Sequence, residues 1–527
     1  MKRIASSILL LLGLLVLLAG CAEQPATRVL LEVDGARRWV SLTDEASVSD
    51  LLDRAAVHLD ALDRVEPSSF TLLEPEMLVR VIRVRARELQ EEQALPFPRE
   101  VRRDASLSQG ESRLVQLGQN GLERITLRVT LEDGVEVKRE VAGRETLTTP
   151  TAEVLVVGTK GTGEAVSFEG TIVYMEQGNA WMMRGDSTLK RALTRTGDLD
   201  GHVFALSPDG RWLLFTREPL GGASGQGGPL NSLWLVSTRI TNDEPRSMEL
   251  NNVLWADWQP CPPIAGECPL QVAFSSGERV PTPPGWRAHN DLRRFGMNSD
   301  GIRGEEVPIL LPSNPLLGWW GRTWAWSPDG AHIAWGDATR IGIVDVASGE
   351  ARILAEFIPF ETRASWVWTP QLTWTPNGRA LFTLIHRAAD EQQAASAEGA
   401  EYSERFDLWR IPLSGGSAEP ILEGIGPFAM PRWLDPARLF YGQAEDAAHS
   451  LTSRYNLMVQ EGDSLPRHLF PPQGQPGVDV PWSAWNPLDD ALIALWQGDI
   501  YLVPLSQADS PRPLTGEGQA SRPEWGP

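Results

Sequence analysis

The 527-residue chain is poor in the residues that build metal and redox centres, with three cysteines and seven histidines. The histidines, at 58, 202, 289, 332, 386, 449 and 468, show no paired spacing, and none opens the His-Glu-x-x-His of a helical zinc protease. Ser224 stands in GGASGQG, which does not satisfy Gly-x-Ser-x-Gly and reads as a loop. The residues therefore imply no catalytic set, no metal and no cofactor. Basic residues are also scarce: 48 Lys and Arg stand against 69 Asp and Glu, a formal charge of −21. Such a balance argues against a nucleic-acid partner, which needs a basic stripe. Nor is any apolar run long enough to cross a bilayer: Ile8–Leu18 is about a dozen residues, where a span needs about 20.

That short run is informative in another way. Lys2 and Arg3 precede it and Leu-Ala-Gly-Cys, residues 18–21, follows it, the layout of a secretory signal. The LAGC resembles the lipobox of bacterial lipoproteins. The resemblance implies cleavage after residue 20, lipidation of Cys21, and a protein held by its lipid to a membrane of the envelope, outside the cytoplasm. Two acyl-type signals anchor firmly because many CH₂ groups are buried. Export permits a disulfide, and Cys261 and Cys268 in CPPIAGEC flank a Pro-Pro and a Gly that let the loop fold back. A local Cys261–Cys268 staple is the favoured reading; a metal pair is the weaker one, since nothing nearby completes a ligand set.

Gly and Pro are frequent, 48 and 40 residues, which suits short strands joined by turns. RVLLEVDGARRWVSL alternates around Asp34-Gly35 as a hairpin. Apolar residues at 48, 51, 52, 55, 56 and 59 predict a helix over 48–59, and 77–86 alternates as a strand. With the phrase LDRVEPSSFTLLEPEMLVRVIRV, this order resembles the ubiquitin-like repeat of cell-wall proteins such as resuscitation-promoting factors; Glu76 stands where that pattern has Gly or a polar turn residue. Residues 87–160, with Gly110, Gly118, Gly121, Gly134 and Gly158, resemble a G-five domain, an elongated sheet of bacterial surface proteins associated with cell-wall glycan. Asp133-Gly134 is expected to turn a hairpin with Leu127, Val129, Leu131, Val135 and Val137 inside.

A corner then recurs: ALSPDG at 205, DWQP at 257, AWSPDG at 325, TWTPNG at 373, RWLDP at 432 and AWNPLD at 484. Each leads into short strands such as RWLLFT, SLWLVS or AHIAWG. Four short strands per unit at roughly 40–70-residue spacing mark a β-propeller. The corner resembles the TolB-type repeat over 170–527. EWGP, 524–527, is a seventh corner without later strands, while 171–177, 179–185 and 189–194 are strands without a corner. The expectation is a ring closed by its last strand, with seven blades; six is the alternative, because RWLDP is irregular and 277–296 interrupts its repeat.

The fold class is thus mainly β: 1–20 signal, 21–27 lipidated anchor, 28–86 ubiquitin-like module, 87–160 G-five domain, 161–169 linker, 170–527 propeller. Most of the 21 tryptophans are expected in blade seams. Some stand in segments that lead to one face: Trp319, Trp320 and Arg322 in GWWGRTW, Trp366 and Trp368 in ASWVWTPQ, and Trp482, with Asp257 and Arg432 in related segments. Exposed aromatics among a few polar groups suit sugar rings or a protein hot spot. The expected function is a lipid-anchored envelope binding or adaptor protein with a protein or glycan partner. A propeller-based glycan hydrolase or lyase, and an accessory propeller of an envelope machine, are the alternatives.

Overall fold

The computed structural model describes residues 27–42, 46–108, 112–160, 165–219, 228–261, 270–280, 284–388, 400–414, 417–435, 437–462, 464–481, 483–486, 488–506 and 510–527. Cys21, Cys268, Gly110, Ser224 and Trp482 lie outside them. The chain divides into two compact units: residues up to Glu88 with Arg128–Lys138, and Leu89–Leu127 with Arg139–Pro527. The division falls inside long strands.

In the first unit, Thr27–Val33 and Ala36–Leu42 form the hairpin, with Asp34 and Gly35 both left-handed (φ 52° and 74°) as a two-residue turn requires. Leu78–Ile82 pairs with Thr27–Val33 in parallel and with Arg64–Glu66 antiparallel. The helix is Val48–Arg54, shorter than its periodicity predicts. Ser47 and Asp50 form a capping box at its start. At its end Ala56 turns left-handed (φ 54°), and Val57 N–H returns to Leu52 O at 2.9 Å. This is a Schellman stop, and the apolar Val57 packs back into the core. Val48, Leu51 and Leu52 cover Val29, Leu31, Val79 and Val81. Glu76 is left-handed too (φ 64°), a conformation that glycine adopts without strain.

Val84–Leu95, Gly121–Glu132 and Val135–Thr148 form a three-stranded sheet with Gly121–Glu132 in the middle. Leu127 and Val129 are buried as expected, but Val135 is exposed and Glu136 and Arg139 are buried in its place. A second sheet pairs Glu153–Lys160 with Arg99–Ser108 in parallel and with Ser112–Gln116 antiparallel. Gly121 is obligatory: a Cβ there would overlap the Thr148 carbonyl oxygen.

From Ser167 on, the described residues form seven antiparallel sheets in succession. Sheet I holds Ser167–Glu176, Asn179–Asp186 and Lys190–Ala192; its fourth strand is Ala520–Gly526 from the far end, with Ile172 opposite Trp525. Sheets II to VII begin with Leu199–Leu206, Val253–Trp258, Thr323–Trp326, Leu372–Trp374, Arg432–Asp435 and Ser483–Trp485. Sheet III carries an extra strand, Trp286–Ala288, paired with Gln271–Arg279. Every neighbouring pair of sheets shares its own hydrophobic cluster, including the pair VII and I. Apolar side chains on both faces of each sheet are thereby removed from water.

The repeated corner holds because its side chains satisfy its own backbone. Ser207 Oγ accepts from Trp212 N–H at 2.9 Å and donates to Asp209 at 2.6 Å. Ser327 and Asp329 repeat this, and Thr375 and Asn377 do so in sheet V. The tryptophan before the corner stitches seams: Trp258, Trp326 and Trp374 donate Nε1–H to the carbonyls of Ala205, Asp257 and Ala325 in the preceding sheet, at 3.0, 3.4 and 3.0 Å.

Candidate functional site

Strand alternation fixes which way the side chains of the first strands turn. The corner Trp turns into the seam, so the residue before it turns the other way. These residues are Ala205, Asp257, Ala325, Thr373, Ala484 and Glu524, all half-buried. Ala205, Ala325 and Ala484 pack against the clusters between sheets. A cavity of about 810 Å³ lies among sheets IV to VII, lined by Thr323, Gln371, Thr373 and Ser483 and by the corner prolines Pro328 and Pro376. Arg432 is on its wall, 2.9 Å from Asp489 and over the Trp485 ring at 5.6 Å. The protein around it lowers its pKa, which Asp489 opposes, while its side chain stays 45 % exposed.

On the other side, two of the layer's members are carboxyls. Asp257 in sheet III and Glu524 in the closing strand flank Ala205 in sheet II. Enclosure by protein pushes Asp257 up to about 6, although the Trp258 N–H at 2.8 Å favours its charged form. Glu524 is pushed up to about 8, by enclosure first and then by the charge of Asp257; Arg522 works the other way. Arg522 itself stands beside Gly201, where a Cβ would be 3.7 Å from its Nε, and is attracted by Glu524 and Asp200.

Above Asp200 an aromatic rim begins. The N–H of His202 donates to Asp200 at 3.0 Å, and its exposed ring meets Trp286 edge-on at 6.0 Å. Trp286 lies 5.1 Å from Trp320, which meets Trp319 edge-on at 5.8 Å. Trp286 and Trp320 are half-buried, so each keeps an accessible part.

Of the residues singled out by sequence, Trp320 stands in this rim. Trp319 is buried beneath it at 3 % exposure. Arg322 is buried as well, stacked on Trp335 at 4.6 Å and 3.8 Å from Asp337. Burial lowers its pKa and Asp337 raises it. Trp366 and Trp368 are elsewhere: Trp368, also 3 % exposed, packs with Phe360, Phe406 and His386, and Trp366 is half-buried beside them. Cys261 is disulfide-bonded. Sequence reasoning missed Trp286, His202, Arg522 and Glu524. The signal for Glu524 was available: the corner Trp follows a carboxyl only in DWQP and EWGP, and Ala or Thr in three of the others.

No curated protein matches the chain. The tricorn protease is similar in structure over 75 % of this chain, at 10 % identity and a TM-score of 0.43; the match spans 38 % of that protein's length. A putative TolB from Agrobacterium tumefaciens is similar over 58 % of this chain and 90 % of its own, at 15 % identity and a TM-score of 0.32. The HP0197-G5 structure is similar over 14 % of this chain and 97 % of its own, at 29 % identity and a TM-score of 0.12. One stretch is assigned to a family from sequence: residues 86–160 match the G5 domain.

Proposed function

We propose that this is an exported envelope protein, anchored through lipidated Cys21, that binds a protein or glycan partner at the rim and cavity of a seven-bladed propeller. In this reading sheets I to VII are the blades, the last strand clasps the ring, residues 28–86 are a ubiquitin-like module, and the G5 domain associates with the wall. The observation that carries the reading is the site itself. A cavity of about 810 Å³ is lined by Trp324, Trp374, Trp433 and Trp485 with a few polar groups, Thr323, Gln371, Arg432 and Ser483, the composition that suits recognition. The test is site-directed photo-crosslinking from position 320 in whole envelopes, with position 465 on the exposed Leu465 as control. A discrete adduct from 320 alone supports the reading; the same adducts from both positions, or none, overturn it.

The hydrolase reading has one observation in its favour, the enclosed pair Asp257 and Glu524, since acid-base work on glycosides uses two carboxyls of separated pKa. Turnover of purified peptidoglycan that disappears in Glu524→Gln would establish it.

A further inference from the structure

Two departures from the repeated corner meet on the wall of the cavity. In sheets II, IV and V the corner ends on Gly210, Gly330 and Gly378, each left-handed (φ 65°, 68° and 66°), with its N–H bound to the carbonyl three residues before. Sheet VII makes the same turn, Asp489 N–H to Asn486 O at 3.1 Å, but puts an aspartate at the left-handed position (φ 53°). A carboxylate there accepts a conformation that glycine adopts without strain. Sheet VI differs in its own way: Arg432 precedes Trp433, where Ala325, Thr373 and Ala484 precede their tryptophans. Arg432 Nη2 donates to Asp489 Oδ1 at 2.9 Å, and both side chains line the cavity, 45 % and 31 % exposed. The ring has room for them on this side. A Cβ at Gly210 or Gly330 would strike Pro527 O or the Gln259 side chain at 2.4 and 2.6 Å, whereas at Gly378 the nearest atom is Pro328 Cδ at 4.0 Å.

We infer that the cavity takes an uncharged saccharide, with the Arg432–Asp489 pair bound to neighbouring hydroxyls and a sugar ring against Trp433. The inference rests on the proposed binding role of the cavity and names the chemistry of its ligand. Three physical arguments select this class. The pair sets donors and an acceptor side by side, and a hydroxyl is both donor and acceptor, so two adjacent hydroxyls satisfy both partners without separating them. The pair's opposite charges already meet, so a charged ligand would have to displace one member, and the chain at −21 repels anions besides. The walls are flat and apolar. Phe382 stacks on one face of Trp433 at 5.0 Å and 5°, which fixes the ring and leaves its remaining surface to a ligand, where the C–H face of a pyranose fits. Gln371 is held as well, its Oε1 accepting from Met430 N–H at 3.2 Å, with its amide N–H groups left as donors.

The experiment titrates the full chain with chitotetraose and cellotetraose as neutral probes and with tetragalacturonate as the anionic one, followed by tryptophan fluorescence and calorimetry. The expected result is saturable binding of a neutral probe, tighter than that of tetragalacturonate, and weakened about tenfold or more by Asp489→Gly and by Arg432→Gln, as loss of a hydrogen bond to a charged group would give. Asp489→Gly restores the residue that the other corners use, so it keeps the turn and remains decisive if Arg432→Gln fails to fold. Neutral binding that Asp489→Gly leaves unchanged would place the sugar elsewhere and overturn the inference. Tighter binding of tetragalacturonate would make Arg432 a lone cation and overturn it too, as would absence of binding by either neutral probe. A discrete protein adduct from position 320 in whole envelopes, with no saccharide bound, would overturn it while leaving the partner-binding reading standing.

Discussion

The indole N–H of Trp525 donates to the carbonyl oxygen of Glu169 at 2.8 Å, joining residues 356 positions apart. Trp525 also lies opposite Ile172 in the ladder and edge-on to Phe168 at 6.1 Å. Sheet I therefore gains its fourth strand only when the two ends of this region meet.

Loss of that closure should be felt throughout the ring. Truncating a buried aromatic costs roughly 3–5 kcal/mol, a large share of ordinary domain stability. Trp525→Ala should lower the Tm clearly in calorimetry. Removal of residues 521–527 should do more, since it bares the edge of Ser167–Glu176 and invites aggregation. A truncated protein that melts like the intact one would show that the ring does not depend on the clasp.

Trp374 separates a hydrogen bond from packing. Its Nε1–H reaches Ala325 O across a seam, while its rings fill the cluster between sheets IV and V. Trp374→Phe should cost the bond and part of the volume, about 1–2 kcal/mol; Trp374→Ala should cost about 3–5 kcal/mol. Urea unfolding of both variants measures the difference. Equal losses would mean that the bond carries the seam.

How much of this was legible follows from locality. The corners were readable because Ser207, Asp209 and Gly210 satisfy and turn their own backbone within a few residues. The clasp was readable as a count of strands and corners. The helix end at Arg54 was not, since Ala55 and Ala56 continue the apolar period and only the left-handed turn at Ala56 breaks it. Trp319 and Trp368 look like ligand-face residues in sequence, yet both are buried by segments distant in the chain. The contact of Trp320 with Trp286 was invisible for the same reason, since it joins segments distant in the chain.

His386 gives a pH dependence with a definite sign. It is buried among Phe360, Trp368 and Phe406, with Ile358 O and Ala400 O at 2.7 and 2.9 Å from its ring nitrogens. Burial lowers its pKa from the ordinary 6.5, and the two carbonyls only partly restore it. The unfolded chain therefore takes up this proton at higher pH than the folded one. The stabilisation is complete above about pH 6.5 and declines as pH falls below it. Tm should fall between pH 7.5 and 5, and His386→Gln should flatten that slope; an unchanged slope would assign the dependence to other groups.

The anchor and the staple have chemical tests. Cys21→Ala should release the protein from membranes or leave it unprocessed, as fractionation would show; normally processed, membrane-bound protein would refute the anchor. Mass mapping of the exported form should find Cys261 joined to Cys268, and two free thiols there would refute the staple. Closing so short a loop contributes at most about 2–3 kcal/mol. Reduction should loosen the loop and leave the ring folded.

The last test concerns Glu153 and Arg454, which pair as a fork with side chains only 7 % and 12 % exposed. Glu153 opens a strand of the G5 region, and Arg454 precedes Tyr455–Glu461 in sheet VI. Removing one member of a buried pair strands the other charge and costs roughly 3–5 kcal/mol. Replacing both with apolar residues removes the stranded charge and can be near neutral. Arg454→Met should therefore raise hydrogen exchange along 153–158 and lower the Tm, and adding Glu153→Leu should recover most of the loss. If the double variant is as damaged as the single one, the pair acts through geometry that apolar packing cannot replace. If the single variant is silent, water reaches Glu153 and the pair contributes no more than a surface bridge.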